Sequence, residues 1–246
     1  MKLSVIIPAH NEASLIERVI SDIAGELSGE KIDAEIVVVD DNSDDGTHDI
    51  VSAIAALDER IRLVKRVPPR GFGRAIRDGL EKATGDAVVV AMGDASDDPA
   101  DITRYFRKIE EGYDCVFGSR FMKGSAVMDY PAVKLLLNRA ANLFLRCIFW
   151  TSHNDLTNAF KAYRREVIDA IKPIESLYFN VTIEMPLKAL IRGYKIAVVP
   201  VKWHGRESGV TKLKIADMGR RYLYTALYLW LQRVLVMDDI NERASL

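Results

Sequence analysis

The sequence predicts an α/β fold in which a mostly parallel sheet is flanked by helices. Short β-branched segments alternate with segments of helical spacing through the first half of the chain. The β-branched segments are apolar throughout, which is typical of strands covered on both faces. This alternation implies βαβ crossovers and a doubly wound sheet, whose ligands bind outside the carboxyl ends of the strands. The loops that follow the strands are therefore the expected place for chemistry.

The elements follow in chain order from the same two patterns. The first half predicts strands at Leu3–Ile7, Glu35–Val39, Ile61–Val64, Ala87–Ala91 and Cys115–Phe117. It predicts helices at Ser14–Leu27, Thr47–Leu57, Arg74–Ala83 and Pro99–Ile109. The second half predicts helices at Val133–Trp150, Arg164–Ile171 and Val181–Arg192, a strand at Ile196–Val199, a polar loop at Trp203–Lys212 and an apolar helix at Ile215–Val236. We expect one continuous domain over residues 1–212, with halves at 1–125 and 126–212, and a helical appendage over residues 213–246.

Length and composition limit the classes to which the chain can belong. Its 246 residues are enough to bury a core, and the net charge of -1 gives no reason to expect a nucleic-acid partner. Cys115 and Cys147 are expected to be buried thiols in a reducing compartment. The N-terminus lacks a signal-peptide layout, and no segment offers the roughly 20 uninterrupted apolar residues of a membrane span. A cytoplasmic location is therefore expected.

Polar residues follow the first predicted strand. The strand ends at Pro8 and leads into His10, Asn11 and Glu12, which would meet a ligand at the carboxyl edge of the sheet. An alternative is a plain loop in which Asn11 caps the next helix.

Acidic residues follow the second predicted strand. Asp40 and Asp41 can accept hydrogen bonds from a ribose hydroxyl or a base N–H. Asp44 or Asp45 can instead cap the following helix, whose dipole favours negative charge at that end.

The loop after the third strand, Arg70–Ala75, contains a Gly-x-Gly sequence that opens a helix. The backbone N–H groups around Gly71 and the side chain of Arg74 could face a phosphate. The spacing departs from the dinucleotide fingerprint because Arg77 occupies the third glycine position.

The loop after the fourth strand carries three carboxylates, at Asp94, Asp97 and Asp98. Such a cluster suits a hard divalent cation that bridges to substrate phosphates. Asp98 precedes Pro99 and is expected to be the N-cap of the next helix. Asp94 is the favoured metal ligand, and Asp97 is the second.

These four loops together resemble those of family 2 glycosyltransferases with the GT-A fold, a Rossmann-like fold. The shared patterns are Pro-x-x-Asn-Glu at Pro8–Glu12, the acidic segment Val39–Thr47, and the acidic loop at Asp94–Asp98. Ser96 stands at the third position of the family's usual Asp-x-Asp, which leaves the second metal ligand open.

The second half is similar to the polyprenyl-phosphate sugar transferases, with the dolichol-phosphate mannosyltransferase group as the nearest comparison. The segments that carry this resemblance are Gly118–Phe121, Lys123–Ser125, Asn138–Asn142 and Asn154–Arg164. The chain has Ala159-Phe160-Lys161 where that group commonly has Gly-Phe-Arg, which indicates a distinct subfamily.

The resemblance implies an inverting transferase that moves a sugar from a UDP- or GDP-linked donor to a polyprenyl or dolichyl phosphate, with Mg²⁺ or Mn²⁺ as cofactor. Residues 1–125 would be the half that binds the nucleotide sugar, and residues 126–212 the acceptor side. The donor-binding residues that it implies are Pro8, His10, Asn11, Glu12, Asp40, Asp41, Gly71, Arg74, Asp94 and Ala95, with the metal at Asp94 and Asp97.

A phosphate acceptor requires cations, and the resemblance favours Arg120, Arg139, Arg206 and Lys212. Arg139, Asn142 and Arg146 fall on one face of an otherwise apolar helix, although Arg146 can equally lie on a solvated face. Glu184 resembles a pocket acid of the family, and its alternative role is a first-turn helix acid.

The acceptor decides the mechanism. A phosphate is already an anion and requires no general base, so positioning and charge neutralisation would suffice. A hydroxyl acceptor would need a carboxylate base, which would be sought in Asp94–Asp98 or at Asp155. A third alternative is a non-catalytic module that binds nucleotide sugars. A nicotinamide- or flavin-binding enzyme is disfavoured because the first strand lacks a glycine-rich turn.

The C-terminal helix raises the question of a membrane. Tyr222–Val236 is mostly apolar and follows Lys212, Lys214, Arg220 and Arg221, an order that suits a helix lying in the membrane interface. The alternatives are docking on the body of the protein, on a second copy in a homo-oligomer, or on a separate membrane-anchoring subunit.

Overall fold

The computed structural model describes residues 1–205 and 215–236. The strands are β1 Leu3–Ala9, β2 Ala34–Asp40, β3 Ile61–Lys65, β4 Ala87–Val90, β5 Cys115–Ser119, β6 Ala126–Met128, β7 Lys161–Arg164, β8 Ile196–Pro200 and β9 Lys202–His204. The helices are α1 Ile16–Gly29, α2 Thr47–Ala55, α3 Phe72–Lys82, α4 Pro99–Glu110, α5 Ala132–Phe149, α6 Arg165–Ala170, α7 Val181–Ile191 and α8 Ile215–Leu235.

The main sheet has the strand order β3-β2-β1-β4-β7-β5-β8. All neighbours pair in parallel except β7, which is antiparallel to both β4 and β5. The order reverses between β1 and β4, and a crevice for ligands is expected outside the carboxyl ends of strands at such a point. The predicted mostly parallel α/β fold is therefore confirmed.

Side chains of the central strands are buried on both faces of the sheet. Val5 and Ile7 of β1 pack in a core with α1 and α4, whereas Ile6 packs in a second core with α3 and α7. Both faces are covered, so the strands are apolar without alternation, and this is the pattern that predicted them.

The strands of the second half were only partly predicted. The sequence analysis missed β7, and it placed β9 in a polar loop and β6 in no element. Each of these strands is short, and Lys161 and Arg164 at the ends of β7 interrupt the apolar pattern on which the prediction relied. A polar strand can occupy the middle of the sheet because Lys161 finds backbone partners there.

The expected burial of the two cysteines is half confirmed. Cys115 is buried in β5, and burial raises the pKa of its thiol. Cys147 is exposed, so that prediction is wrong. Helix α5 turns Asn142, Leu145 and Phe149 inward, and this leaves Cys147 on its outward face.

Helix α8 packs against the protein body over its described length. Ala226 and Leu229 of α8 are buried in the same core as Leu145 and Phe149 of α5. The guanidinium of Arg233 donates to the Phe149 carbonyl at 2.5 Å. Within residues 1–205 and 215–236, no helix combines the length and apolar content that crossing a membrane requires.

Candidate active site

A cavity of about 670 Å³ lies at the carboxyl edge of the sheet, where the strand order reverses. The loops after β1, β2, β4 and β5 contribute to its walls, together with the segment that precedes β7. Because β7 runs opposite to its neighbours, the residues before it reach the same edge as the residues after β4 and β5. The topology thus joins the two halves of the chain in one site.

Eight of the residues predicted for the site line this cavity: Pro8, His10, Glu12, Asp41, Gly71, Asp94, Asp97 and Arg120. Five others do not line it: Asn11, Asp40, Arg74, Ala95 and Arg139. Arg206 and Lys212 lie outside the described residues, so their predicted roles stay predictions.

Asn11 and Asp40 hold the loops of the cavity wall together, which gives no support for direct donor contacts. The Asn11 amide donates to Asp44 at 2.6 Å and accepts from the Asp44 N–H at 2.9 Å, so Asn11 is not the helix cap. Asp40 accepts from the Ser43 N–H at 3.0 Å and lies 3.3 Å from the His48 ring. Both side chains are used in fixing the loop backbone.

Asp45 also connects two loops and is not the helix cap that its sequence position suggested. It accepts from the Thr47 N–H at 3.0 Å near the start of α2 and from the Ala13 N–H at 3.0 Å in the loop after β1. The cap residue itself is Gly46, whose φ of 91° is in the left-handed region that favours glycine. The loops after β1 and β2 therefore form one hydrogen-bonded unit.

Gly71 just before α3 and Gly73 in its first turn allow close packing against a neighbouring segment. The Gly71 N–H donates to the Asp41 carboxylate at 2.7 Å, and Arg66 forms an ion pair with the same carboxylate. A Cβ atom at Gly71 or Gly73 would collide with backbone carbonyl oxygens of Leu177 and Ser176. The Gly-x-Gly sequence thus lets α3 approach the segment before α7.

Arg74 lies beside this contact and outside the cavity. Its guanidinium donates to the Arg70 carbonyl at 3.1 Å and lies 5.3 Å from the centre of the Tyr178 ring. The guanidinium of Arg221 in α8 lies 4.0 Å from the same ring. Tyr178 and Arg221 line the cavity, so this aromatic contact ties α3 and α8 to its rim.

The acidic loop after β4 brings two carboxylates to the cavity, with Asp94 buried and Asp97 half-buried. Asp94 accepts from the Ser96 N–H at 3.2 Å, and Asp97 accepts from the Met92 N–H at 3.0 Å. Burial, with a further contribution from the nearby Asp94 carboxylate, raises the pKa of Asp97 to about 7.

Ala95, between Asp94 and Asp97, has a φ of 57° and faces a different cavity, between α1 and α4. Asp98 caps α4 by accepting from the Ala100 N–H at 3.1 Å, as predicted.

Arg120 faces these carboxylates from the loop after β5 and is paired with Asp155. The Asp155 carboxylate accepts from Nε and Nη2 of Arg120 at 2.7 Å each, and from the Arg120 N–H at 3.0 Å. Both side chains are buried. Burial alone would lower the pKa of Arg120, but the Asp155 carboxylate more than offsets this and raises it. Asp155 is therefore committed to Arg120 and is poorly placed to act as a general base.

Arg139 lies near Arg120 without lining the cavity. The guanidinium groups of Arg120 and Arg139 each lie 5.3 Å from the centre of the Phe121 ring. The shared ring holds the two cations on one side of the molecule, although Arg139 is exposed on α5. Arg146 is also exposed, as its alternative assignment required.

Lys161, the first residue of β7, fixes the segment that precedes this strand. Its ammonium donates to the carbonyls of Leu156, at 3.0 Å, and Asn158. Complete burial is the main cause that lowers the pKa of Lys161 to about 7. Lys161 stands where the Gly-Phe-Arg pattern has arginine, and its shorter side chain reaches these backbone oxygens.

The comparisons with known proteins agree with this geometry. The sequence model of glycosyl transferase family 2 matches residues 4–172. The chain belongs to this family. It is 30% identical over 233 residues to the polyprenol monophosphomannose synthase of Mycolicibacterium smegmatis, with 88% of this chain and 86% of that protein covered. It is 31% identical over 216 residues to the dolichol-phosphate mannosyltransferase of Pyrococcus furiosus, with 87% of this chain and 60% of that protein covered.

A solved structure shares the fold of this family 2 glycosyltransferase. The UDP complex of glucosyl-3-phosphoglycerate synthase from Mycobacterium tuberculosis has a TM-score of 0.71 at 22% identity, with 93% of this chain and 80% of that chain covered. The GT-A type of fold that the resemblance implied is thus confirmed.

Glu184 of the glycosyltransferase lies outside the main cavity. It is buried in α7, where it accepts from the N–H groups of Glu175 and Ser176 at 2.8 and 2.6 Å and pairs with Lys188 at 2.6 Å. These contacts hold the segment against which α3 packs. Glu184 lies in the first turn of α7, as its alternative assignment required, and lines a separate cavity.

The sequence analysis missed several cavity residues, which come mainly from the second half. They include Tyr130, Lys134, Asn138, Thr157, Asn158, Phe179, Thr182, Met218 and Tyr222. One signal was present in α5, where Lys134, Asn138 and Asn142 recur every four residues and so form a polar stripe on an apolar helix. Among the others, Thr157 and Asn158 lie in the segment Asn154–Arg164 that carried the family resemblance, and the rest had no pattern of their own, because they come from loops, from the start of α7 and from α8.

Proposed function

We propose that this glycosyltransferase moves a sugar from a UDP- or GDP-linked donor to a polyprenyl or dolichyl phosphate, with inversion at the anomeric carbon. The observation that carries the proposal is that Asp94 and Asp97 after β4 and Arg120 after β5 face one cavity. The two relatives, a polyprenol monophosphomannose synthase and a dolichol-phosphate mannosyltransferase, support the lipid phosphate as acceptor.

The donor would occupy the side of the cavity formed by the loops after β1, β2 and β4. Glu12 and Asp41 supply carboxylate acceptors for ribose hydroxyls or base N–H groups there. Asp41 is held by Arg66 and by the Gly71 N–H, so its position is set before a ligand arrives. A donor bound in this way would direct its diphosphate toward the acidic loop.

The acidic loop fits a divalent cation. Asp94 is buried and Asp97 is half-buried at the cavity, and Mg²⁺ or Mn²⁺ is commonly held by one or two carboxylates, waters and substrate phosphates. Within the described residues no group of three or more His, Cys, Asp or Glu side chains is arranged around one point. Asp94 and Asp97 would hold the ion, and its charge would stabilise the leaving diphosphate.

The acceptor phosphate would approach from the Arg120 side. Asp155 engages Nε and Nη2 of Arg120, and in the described part of the chain no partner is bonded to Nη1. A phosphate oxygen forms the bond to the anomeric carbon, while the bond from that carbon to the donor diphosphate breaks and the nucleoside diphosphate leaves with the electron pair. No proton is transferred, so the commitment of Asp155 to Arg120 is compatible with the reaction.

The test is transfer by the purified chain from a panel of UDP- and GDP-sugars, with Mg²⁺, Mn²⁺ or a chelator. Polyprenyl phosphate is compared with soluble hydroxyl acceptors. Product on the hydroxyl acceptors alone would refute the lipid phosphate. Binding of UDP or GDP that a chelator does not affect, without turnover, would indicate a non-catalytic module.

The matched variants are Asp94→Asn and Asp98→Asn, which each remove one carboxylate from the same loop. We expect Asp94→Asn to fold and to lose transfer by more than about 100-fold, because a ligand of the cation is gone. Asp98→Asn should keep its activity, since asparagine is as good an N-cap as aspartate. Full activity of Asp94→Asn would remove Asp94 from the mechanism.

We further propose that the enzyme lies on a membrane surface through an apolar patch on α5 and α8. The patch consists of exposed side chains on the two helices and just after each of them: Val133, Leu136, Leu137, Leu143, Phe144, Trp150, Leu223, Tyr224, Leu227, Trp230, Leu231, Val234, Leu235 and Val236. Exposed arginines, among them Arg139 and Arg146, lie on the same helices. Apolar and aromatic side chains beside basic ones suit an interface with anionic lipids.

Sedimentation with anionic phospholipid vesicles tests the membrane proposal. Leu136→Glu should weaken binding, whereas Leu57→Glu should not, because Leu57 is 90% exposed outside the patch. Equal binding by both variants would contradict the proposal. A dimer in solution that Leu136→Glu dissociates would instead assign the patch to a second copy.

A further inference from the structure

We infer that Asn142 is a positioning residue that sets the place of Arg120 for the acceptor phosphate. The inference rests on the proposed function and gives Asn142 a task other than the direct phosphate contact that its helix face suggested. Asn142 is 2% exposed and sits on the inward face of α5, opposite the apolar patch.

The hydrogen bonds of Asn142 clamp one short turn, Asp155–Thr157. Its Oδ1 accepts from the Leu156 N–H at 2.7 Å and from the Thr157 N–H at 3.3 Å. Its Nδ2 donates to the Thr157 hydroxyl at 2.9 Å and lies 3.5 Å from Oδ1 of Asp155. One buried amide therefore holds the backbone and side chains of the turn that carries the partner of Arg120.

The turn Asp155–Thr157 also holds Arg120. Asp155 binds the guanidinium through two oxygens, and the Thr157 hydroxyl lies 3.2 Å from Nη2. The same hydroxyl donates to Asn138 at 2.7 Å, and Asn138 donates to the Tyr130 hydroxyl at 2.6 Å. Asn142 does not line the cavity, whereas four other residues of this hydrogen-bonded network do: Arg120, Thr157, Asn138 and Tyr130.

Contact with the acceptor phosphate and positioning of the cation that makes this contact are thus assigned to different residues. Arg120 reaches the cavity, and Asn142 fixes its orientation through Asp155 and Thr157 without contact with a substrate. Loss of Asn142 should therefore affect the acceptor more than the donor, because the donor loops after β1, β2 and β4 share no hydrogen bond with Asn142 among the described residues.

Initial rates of the full chain, with donor and polyprenyl phosphate varied in turn, test the inference. Asn142→Ala should raise the KM for polyprenyl phosphate by about tenfold or more and change the KM for the nucleotide sugar by less than about twofold. The control is Thr103→Val, which removes a partly buried hydrogen bond of 2.9 Å from α4 to Glu26 of α1, two residues that do not line the cavity. It should lower the melting temperature and leave both KM values unchanged.

Thr157→Val provides a second test if Asn142→Ala does not fold. It should shift the acceptor KM in the same direction. Where Asn142→Ala does fold, the acceptor KM of the double variant should rise no more than that of the stronger single variant, because both changes disrupt one network. An unchanged acceptor KM in Asn142→Ala, or equal changes in both KM values, would overturn the inference while leaving the proposed function intact. Absence of transfer by the unaltered chain would overturn the proposed function itself.

Discussion

The ion pair between Arg120 and Asp155 offers a sharp test of how this site is built. The perturbation is Asp155→Asn, which preserves the shape of the side chain and removes its charge. Asp155 accepts three hydrogen bonds from Arg120, at 2.7, 2.7 and 3.0 Å. Its side chain is fully buried, and that of Arg120 is 7% exposed, so water cannot replace the lost partner.

The expected loss of free energy of unfolding follows from this burial. Removal of one partner from a buried pair leaves an uncompensated buried charge, which costs about 3–5 kcal/mol. At about 2–4 °C per kcal/mol for a domain of this size, the melting temperature should fall by about 6–20 °C. Urea unfolding and thermal melts at neutral pH would measure both quantities.

A matched control separates burial from geometry. Asp58 binds Arg60 through two oxygens as well, at 3.0 and 2.6 Å, but the side chains are 27% and 48% exposed. Asp58→Asn should therefore cost less than about 1 kcal/mol, because water screens an exposed pair. If Asp155→Asn were as stable as Asp58→Asn, the argument from burial would be refuted.

Three further predictions concern other regions. The pKa of Glu35 is lowered from 4.5 to about 2 by hydrogen bonds that outweigh its burial, so Glu35→Gln should cost on the order of 2 kcal/mol at pH 7. A carboxyl group with a depressed pKa stabilises the fold above its unfolded pKa, and urea unfolding should therefore show that the difference fades as pH falls from about 4.5 toward 2. Phe121→Leu should raise the acceptor KM severalfold by loosening the guanidinium of Arg120, which lies 5.3 Å from the centre of the ring, with cation–π contacts contributing about 0.5–2 kcal/mol each; an unchanged acceptor KM would contradict this role. Gly73→Ala should lower the melting temperature because its methyl group meets a backbone carbonyl, whereas Gly25→Ala in α1, with open space around it, should be neutral or stabilising; equal effects would rule out steric contact as the cause.

Local patterns in the sequence were enough to predict the parallel half of the fold. Runs such as Leu3–Ile7 and Glu35–Val39 were extended by the structure to Leu3–Ala9 and Ala34–Asp40, and the helix that starts at Pro99 was placed with its Asp98 cap. These features depend on neighbours along the chain: apolar runs that suit two-sided burial, and cap residues next to proline. The family resemblance came from the same short loops.

Tertiary structure alone decided which of the candidate residues share the cavity. Spacing along α5 could not tell that Asn142 turns inward while Arg139, beside the Phe121 ring, lies outside the cavity. Spacing along the chain also could not show that the Asp155 carboxylate pairs with Arg120, because the two residues are brought together by β7, a strand that the sequence pattern did not predict. Periodicity reports which face of an element is apolar; partners distant in sequence are set by how the strands order in the sheet.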